Sequence, residues 1–146
     1  MYYFAYGSSM NYEQMRRLCG WHFQLLGLGT LHNFEFGVDQ RGYVNIRPKS
    51  GQKVIGVLYD LEPGCLDRLD EFEGYPQVFT RPEVEVVDSN NHKFKAWVYV
   101  EAPEQFGGKS IKLDYFKRFM AGAIDSKLPQ DWINFLQSFE KITQGP

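Results

Sequence analysis

The chain has 146 residues and a formal net charge of −2, with 43% hydrophobic and 23% charged residues. That is the length of one ordinary domain, large enough to bury a core without a covalent staple. Charges of both signs are mixed and no long Lys or Arg run occurs, which argues against nucleic-acid binding, and no stretch approaches the ~20 apolar residues of a membrane span.

In chain order, residues 2–6 are compact and aromatic and read as a buried strand. Gly7-Ser8-Ser9 follows. Asn11 is then an N-cap with Gln14 as its capping-box partner, for a helix over 12–18 ended by Gly20. A strand, a small-residue loop and a helix start point amides at one spot, which suits an anion or a developing oxyanion. Residues 23–38 read as strands broken at Gly27 and Gly29. Residues 43–47 form a short strand ended by Pro48, and residues 54–61 another, with Gly56 as a close-packing or bulge position. Glu62-Pro63 opens a short helix that reaches Phe72 or Glu73, with Gly74 as its C-cap. Residues 79–88 and 94–101 form a hairpin about the turn Ser89-Asn90-Asn91-His92. Leu113, Phe116, Met120, Ala123 and Ile124 recur at helical spacing, as do Trp132, Phe135, Leu136 and Phe139. The tail 143–146 is expected to fray. Many short strands with helices grouped late predict one α+β domain over 1–146, a small mixed β-barrel or strongly curved sheet with flanking helices.

Glu73 is the candidate for chemistry. On a regular helix, Leu66, Leu69, Asp70 and Glu73 share one face, and the two leucines mark it as the buried one. Partial burial and the helix C-terminus both favour the neutral acid, so Glu73 is placed to exchange a proton near neutral pH. The same spacing also fits a frayed, solvated Glu73, or a structural ion pair with Arg68, Arg81 or a lysine. Glu71 points away from the leucine face as a solvated charge, while Asp70 shares that face in a structural role. Tyr6, Gly7, Ser8 and Ser9 can form an oxyanion or carboxylate cradle, with the serine hydroxyls as extra donors, or an ordinary strand-to-helix turn. Neither serine sits in GxSxG. His22, His32 and His92 show no ligand spacing, so no metal site is expected. Gly107-Gly108-Lys109-Ser110 lacks the spacing of a phosphate loop. Cys19 and Cys65 read as unpaired thiols in a cytoplasmic protein, Cys65 as a buried apolar side chain, and the N-terminus as no signal peptide.

Four segments in order resemble the γ-glutamylcyclotransferase-like family, which includes γ-glutamylamine cyclotransferases and plant AIG2-like proteins. Tyr3-Phe4-Ala5-Tyr6-Gly7-Ser8-Ser9-Met10 is similar to the family's FAYGSNM opening. Gly42-Tyr43-Val44-Asn45-Ile46 resembles its G-x-A-x-I segment. Residues 54–59 with Leu69-Asp70-Glu71-Phe72-Glu73-Gly74 resemble its strand and LDxxEG helix end. The segment from Tyr115 to Pro129, ending Gly122-Ala123-Ile124-Asp125-Ser126-Lys127-Leu128-Pro129, resembles the family segment that ends GAxxxGLP. The resemblance implies a small β-barrel fold and no metal or organic cofactor. It also implies intramolecular aminolysis, in which the α-amino group of a γ-glutamyl compound attacks its own γ-carbonyl to give 5-oxoproline and a free amine or amino acid. Glu73 falls on the acid/base, and Tyr6, Gly7, Ser8 and Ser9 on the loop that binds the glutamyl end. Ser9 stands where the family has Asn, and Phe79 where it has an aromatic residue that is usually Tyr. The expected partner is a small-molecule γ-glutamyl substrate, with the protein a monomer or homodimer. Two alternatives stay open. One is a non-catalytic γ-glutamyl-binding or interaction domain on this fold; the other is a hydrolase using Ser8 or Cys65.

Overall fold

The computed structural model describes residues 1–145. The chain opens with β1 (Tyr2–Ala5), a 3₁₀ turn over Ser8–Met10 and helix α1 (Tyr12–Cys19). Two long strands follow, β2 (Phe23–Val38) and β3 (Val44–Leu61), and then α2 (Pro63–Glu73). Next come β4 (Phe79–Thr80), β5 (Glu83–Asp88), β6 (Lys93–Trp97) and β7 (Val100–Glu101). β8 (Ile111–Lys112) leads into α3 (Leu113–Asp125), α4 (Gln130–Gln137) and β9 (Thr143–Gln144). Strands in the order β1-β3-β2-β5-β6 close into a barrel, with β1 parallel to β6 and the other pairs antiparallel. This is the expected α+β barrel with flanking helices.

Close packing inside the barrel depends on missing side chains. A Cβ at Gly56 would lie 2.2 Å from the Ala5 carbonyl oxygen and 3.0 Å from the Phe4 ring, and one at Gly29 would lie 2.7 Å from Val86. The fully buried Phe4 occupies the space these glycines leave.

Several expected breaks are absent. β2 is continuous; Gly27, at φ 131°, takes up a register shift after Leu25 instead of ending the strand. β3 runs through Pro48, which pairs with Phe34. Pro48 is tolerated because it borders an irregularity: residues 49–52 bulge out between the partners of His32 and Phe34, and Asn33 Oδ1 accepts from Gly51 N–H at 3.1 Å. The hairpin over 79–101 is split at Arg81-Pro82, where a ladder donor is missing. Its inner part, β5–β6, belongs to the barrel, and its outer part, β4–β7, stands apart. The tail is not frayed at Thr143–Gln144, which pairs with Ile111–Lys112; Pro146 lies outside the described residues. Ile124 is 54% exposed in the last turn of α3 and is not core.

The cysteines also differ from expectation. Cys19 and Cys65 form a disulfide, with Cα atoms 4.9 Å apart where α1 packs on α2. A separation of 46 residues hid a contact that exists only after folding. The cytoplasmic expectation rested on unpaired thiols and loses that support. No helix among the described residues is long and apolar enough to cross a membrane.

The chain between the two cysteines is long enough that its closure restricts the unfolded state strongly. Reduction, or a C19A/C65A variant, is expected to lower unfolding stability by about 2–4 kcal/mol. Urea unfolding with and without reductant measures this. Coincident curves would show that the bond contributes nothing.

Candidate active site

A cavity of about 390 Å³ opens where the end of β1, the C-terminus of α2 and the first turns of α3 meet. This lies within the roughly 300–1,000 Å³ usual for a small-molecule site.

α2 delivers Glu73 to it. Pro63 starts the helix, and Gly74, at φ 73°, ends it in the left-handed conformation only glycine adopts freely. Leu66 and Leu69 on the same face are buried. Asp70, on that face too, accepts from Arg81 at 2.6 and 3.0 Å and from the Tyr99 hydroxyl at 2.7 Å. These bonds tie the last turn of the helix to the strand side and occupy Arg81. Arg68 donates instead to the Leu18 carbonyl at 3.2 Å. Neither arginine pairs with Glu73, so the structural ion pair with them is not formed. The Glu73 carboxyl lines the cavity, and burial pushes it up to about 7 against a weaker opposing pull from Arg41. Glu71 is exposed, as expected, yet it reaches the cavity mouth.

Tyr6, Gly7, Ser8 and Ser9 line the same cavity. The 3₁₀ turn begins with a bond from Met10 N–H to the Gly7 carbonyl at 3.0 Å, so the N–H groups of Gly7, Ser8 and Ser9 precede the turn's own acceptors. Gln14 holds the two serine hydroxyls as acceptors, which leaves their own O–H groups able to donate. Their oxygens accept from Gln14 Nε2 at 2.9 and 3.2 Å, and both residues are buried. The Asn11 cap is present, with Oδ1 accepting from Gln14 N–H at 3.0 Å, but the Gln14 side chain turns to the loop instead of completing the capping box. The Tyr6 hydroxyl donates to the Tyr99 carbonyl at 2.6 Å and belongs to the core. Phe79 is buried at the cavity wall and brings no hydroxyl.

Comparison with known proteins agrees with this architecture. The family model described as γ-glutamyl cyclotransferase, AIG2-like, matches residues 3–118. The chain belongs to that family. A γ-glutamylaminecyclotransferase A of Danio rerio is 37% identical over 54 residues, covering 36% of this chain and 34% of that protein. The matched stretches cover 54%, 34% and 58% of three curated relatives, so the chain spans about a third to three-fifths of their lengths. A solved γ-glutamyl cyclotransferase superposes with a TM-score of 0.87 at 21% identity, covering 96% of this chain and 88% of that one. An AIG2-like protein of Mus musculus gives 0.60 at 22% identity, covering 71% and 80%. At these identities the structures establish the shared fold.

The cyclotransferase fold adds residues that sequence reasoning missed. Tyr3 and Tyr115 line the cavity, and Glu73 lies close enough to raise both phenols further above ordinary values than burial alone does. Both stay neutral and can donate. The Tyr115 hydroxyl accepts from Val44 N–H at 3.4 Å, and it reaches the loop because a Cβ at Gly7 would lie 2.8 Å from it. Tyr3 stood inside the FAYGS segment and Tyr115 at the start of the α3 segment, but no local pattern shows that two phenols converge on Glu73. Arg41, in the β2–β3 turn, likewise had no local signal. Among the described residues no cluster of His, Cys, Asp and Glu could hold a metal ion. His22 and His92 are exposed beside Glu62 and Asp88. Gly107 and Gly108 donate to the Val38 carbonyl at 2.8 and 2.7 Å, a structural turn and not a phosphate loop.

The raised Glu73 carboxyl has a consequence for stability. The folded protein holds this proton more tightly than the unfolded chain does. Its favourable contribution is full below about 4.5 and is lost as pH rises through about 7. E73Q, which copies the neutral acid, should match the wild type near pH 4 and exceed it above pH 7 by on the order of 1–3 kcal/mol. Urea unfolding at the two pH values measures the gap. A gap that does not change with pH would place the carboxyl in bulk water.

Proposed function

We propose that this protein is a γ-glutamyl cyclotransferase that releases 5-oxoproline and a free amine or amino acid from a γ-glutamyl compound. The observation that carries the reading is Glu73: a cavity carboxyl held near neutrality by burial, with no hydrogen-bonded cation among the described residues, lining the same cavity as Gly7, Ser8 and Ser9.

Glu73 takes a proton from the substrate's α-ammonium group, and the freed nitrogen attacks the γ-carbonyl carbon. A nitrogen–carbon bond forms and closes the five-membered ring. The carbonyl oxygen becomes an oxyanion, which the amides near Gly7 and Ser8 can stabilise, with the Tyr115 phenol as a further donor. The γ-carbon–nitrogen bond to the leaving amine then breaks as Glu73 returns the proton to that nitrogen. In all, the α-nitrogen loses two protons and the leaving nitrogen gains two, passed one at a time, so the reaction releases none. Both reacting groups belong to one molecule. The cavity therefore has to fold the substrate so that amine and carbonyl meet, which Tyr6, Gly7, Ser8, Ser9 and Phe79 do by holding its glutamyl end.

A second reading rests on Phe79 and Ser9: a wall without its hydroxyl and a serine engaged by Gln14 fit a domain that binds γ-glutamyl compounds without turning them over. One experiment separates the two. Incubation with γ-glutamyl amino acids and γ-glutamyl-ε-lysine should yield 5-oxoproline. kcat/KM should rise with pH through about 7, because the base must be ionised. E73Q should lose about 10²–10⁴-fold in kcat with a smaller change in KM. Turnover that survives E73Q would remove Glu73 from the chemistry. Binding without turnover in the wild type would select the second reading.

A further inference from the structure

The mouth of the cavity carries a fixed cation that the proton transfers do not use. Arg41 sits in the tight turn between β2 and β3, where Asp39 Oδ1 accepts the backbone N–H groups of Arg41 and Tyr43 at 2.8 and 2.9 Å. Its guanidinium donates through Nε to Glu101 Oε1 at 2.9 Å and through Nη2 to Oε2 at 3.5 Å. Asp39 Oδ2 lies 3.9 Å from Nη2. Both carboxylates are buried, with side chains 0% and 5% exposed, whereas Arg41 is 41% exposed. Burial and the adjoining Glu101 push the Asp39 carboxyl up, so the pair does not neutralise Arg41 twice over. One edge of the guanidinium is thus anchored from below. Nη1 has no acceptor among the described residues, and the rings of Tyr43 and Phe79 flank the group at 5.0 and 5.8 Å. The mouth holds two other charges, Arg118 and Glu71, both exposed and neither in an ion pair among the described residues.

Depth decides which part of a substrate meets Arg41. The loop amides belong to buried residues, with Ser8 and Ser9 6% and 2% exposed, and Arg41 stands at the rim. The α-amino and α-carboxylate groups of a glutamyl unit share one carbon, so both must lie deep for the amine to reach the γ-carbonyl beside Glu73. The leaving group extends the other way and must exit through the mouth. An amino-acid leaving group brings a carboxylate there; a simple amine brings none. We propose that Arg41 binds the carboxylate of the leaving group, so that γ-glutamyl amino acids are preferred over γ-glutamyl amines. This rests on the cyclotransferase reading above. A planar fork anchored along one edge suits a carboxylate better than a loose ammonium would.

The test uses two substrates that differ by one carboxylate, γ-glutamyl-alanine and γ-glutamyl-ethylamine. The wild type should favour the first in kcat/KM by about ten-fold or more. R41M should bring that ratio toward about one, with R41K between the two. Because R41M leaves Glu101 without its partner, E101Q and E101Q/R41M are compared as a second pair, in which the buried charge is removed as well. R118M takes the same charge from the same mouth without the anchor. An unchanged ratio in R41M, an equal loss on both substrates, or a collapse in R118M instead would each overturn the assignment. Titration of E73Q protein with the same two compounds separates this idea from the catalytic reading. Tighter, Arg41-dependent binding of the alanine compound to E73Q, with a wild type that yields no 5-oxoproline from either compound, would keep Arg41 and discard catalysis. Turnover without Arg41 dependence would do the reverse, and neither binding nor turnover would overturn both.

Discussion

Burial and the C-terminal dipole of α2 both oppose a negative charge on Glu73, and the nearest support, Arg41, makes no hydrogen bond to it. A carboxyl in that position is tolerable only if the surrounding structure is fixed firmly enough that the chain cannot relax and let it reach water. The anchors are visible. Leu66 and Leu69 bury the inner face of the helix, and the Cys19–Cys65 bond ties its first turn to α1. Asp70, one turn before Glu73, is held by Arg81 and Tyr99. Gly74 then turns the chain away at once, so Glu73 is the last helical residue. Each device is structural by itself. Together they keep one acid in the cavity in a state that can both take and give a proton.

The barrel supplies the other side of the site. β1 ends at Ala5, and the chain must turn sharply into α1, which leaves the amides of residues 7–9 without local acceptors. Gln14 donates to both serine oxygens and fixes their position, so the loop brings backbone N–H groups and two positioned hydroxyls to the cavity. Gly7 has no Cβ, and the Tyr115 phenol occupies that space. The result is a set of neutral donors opposite an acid of near-neutral affinity, in a space partly closed to water, where electrostatic interactions are strongest. The charged residues remain at the rim, where Arg41 is aimed by two buried carboxylates.

What could be read from the sequence was what a few neighbouring residues determine. The face shared by Leu66, Leu69, Asp70 and Glu73 follows from helical period, and Gly74 and Asn11 follow from the chemistry of helix ends. Gly56 was legible as a close approach, though its partner, the Ala5 carbonyl, was not. The misreadings have a common cause. Gly27 and Pro48 are strand breakers on local grounds, but pairing along β2 and β3 absorbs both as irregularities. Cys19 and Cys65 meet only because α1 and α2 pack together. Tyr3, Tyr115 and Arg41 reach the cavity from three distant parts of the chain, so their convergence is a property of the closed barrel and of no single segment. The four matching segments contain both Glu73 and the loop, whereas Arg41, the anchored cation of the mouth, lies just outside them.

The account depends on the Glu73 carboxyl being held near neutrality by burial in the free protein. Its titration can be followed directly by ¹³C NMR of side-chain carboxyls, with E73Q identifying the resonance. The structure predicts a midpoint near 7. A midpoint in the ordinary range near 4.5 would mean a hydrated carboxylate, and would contradict both the cavity geometry and the acid/base role built on it.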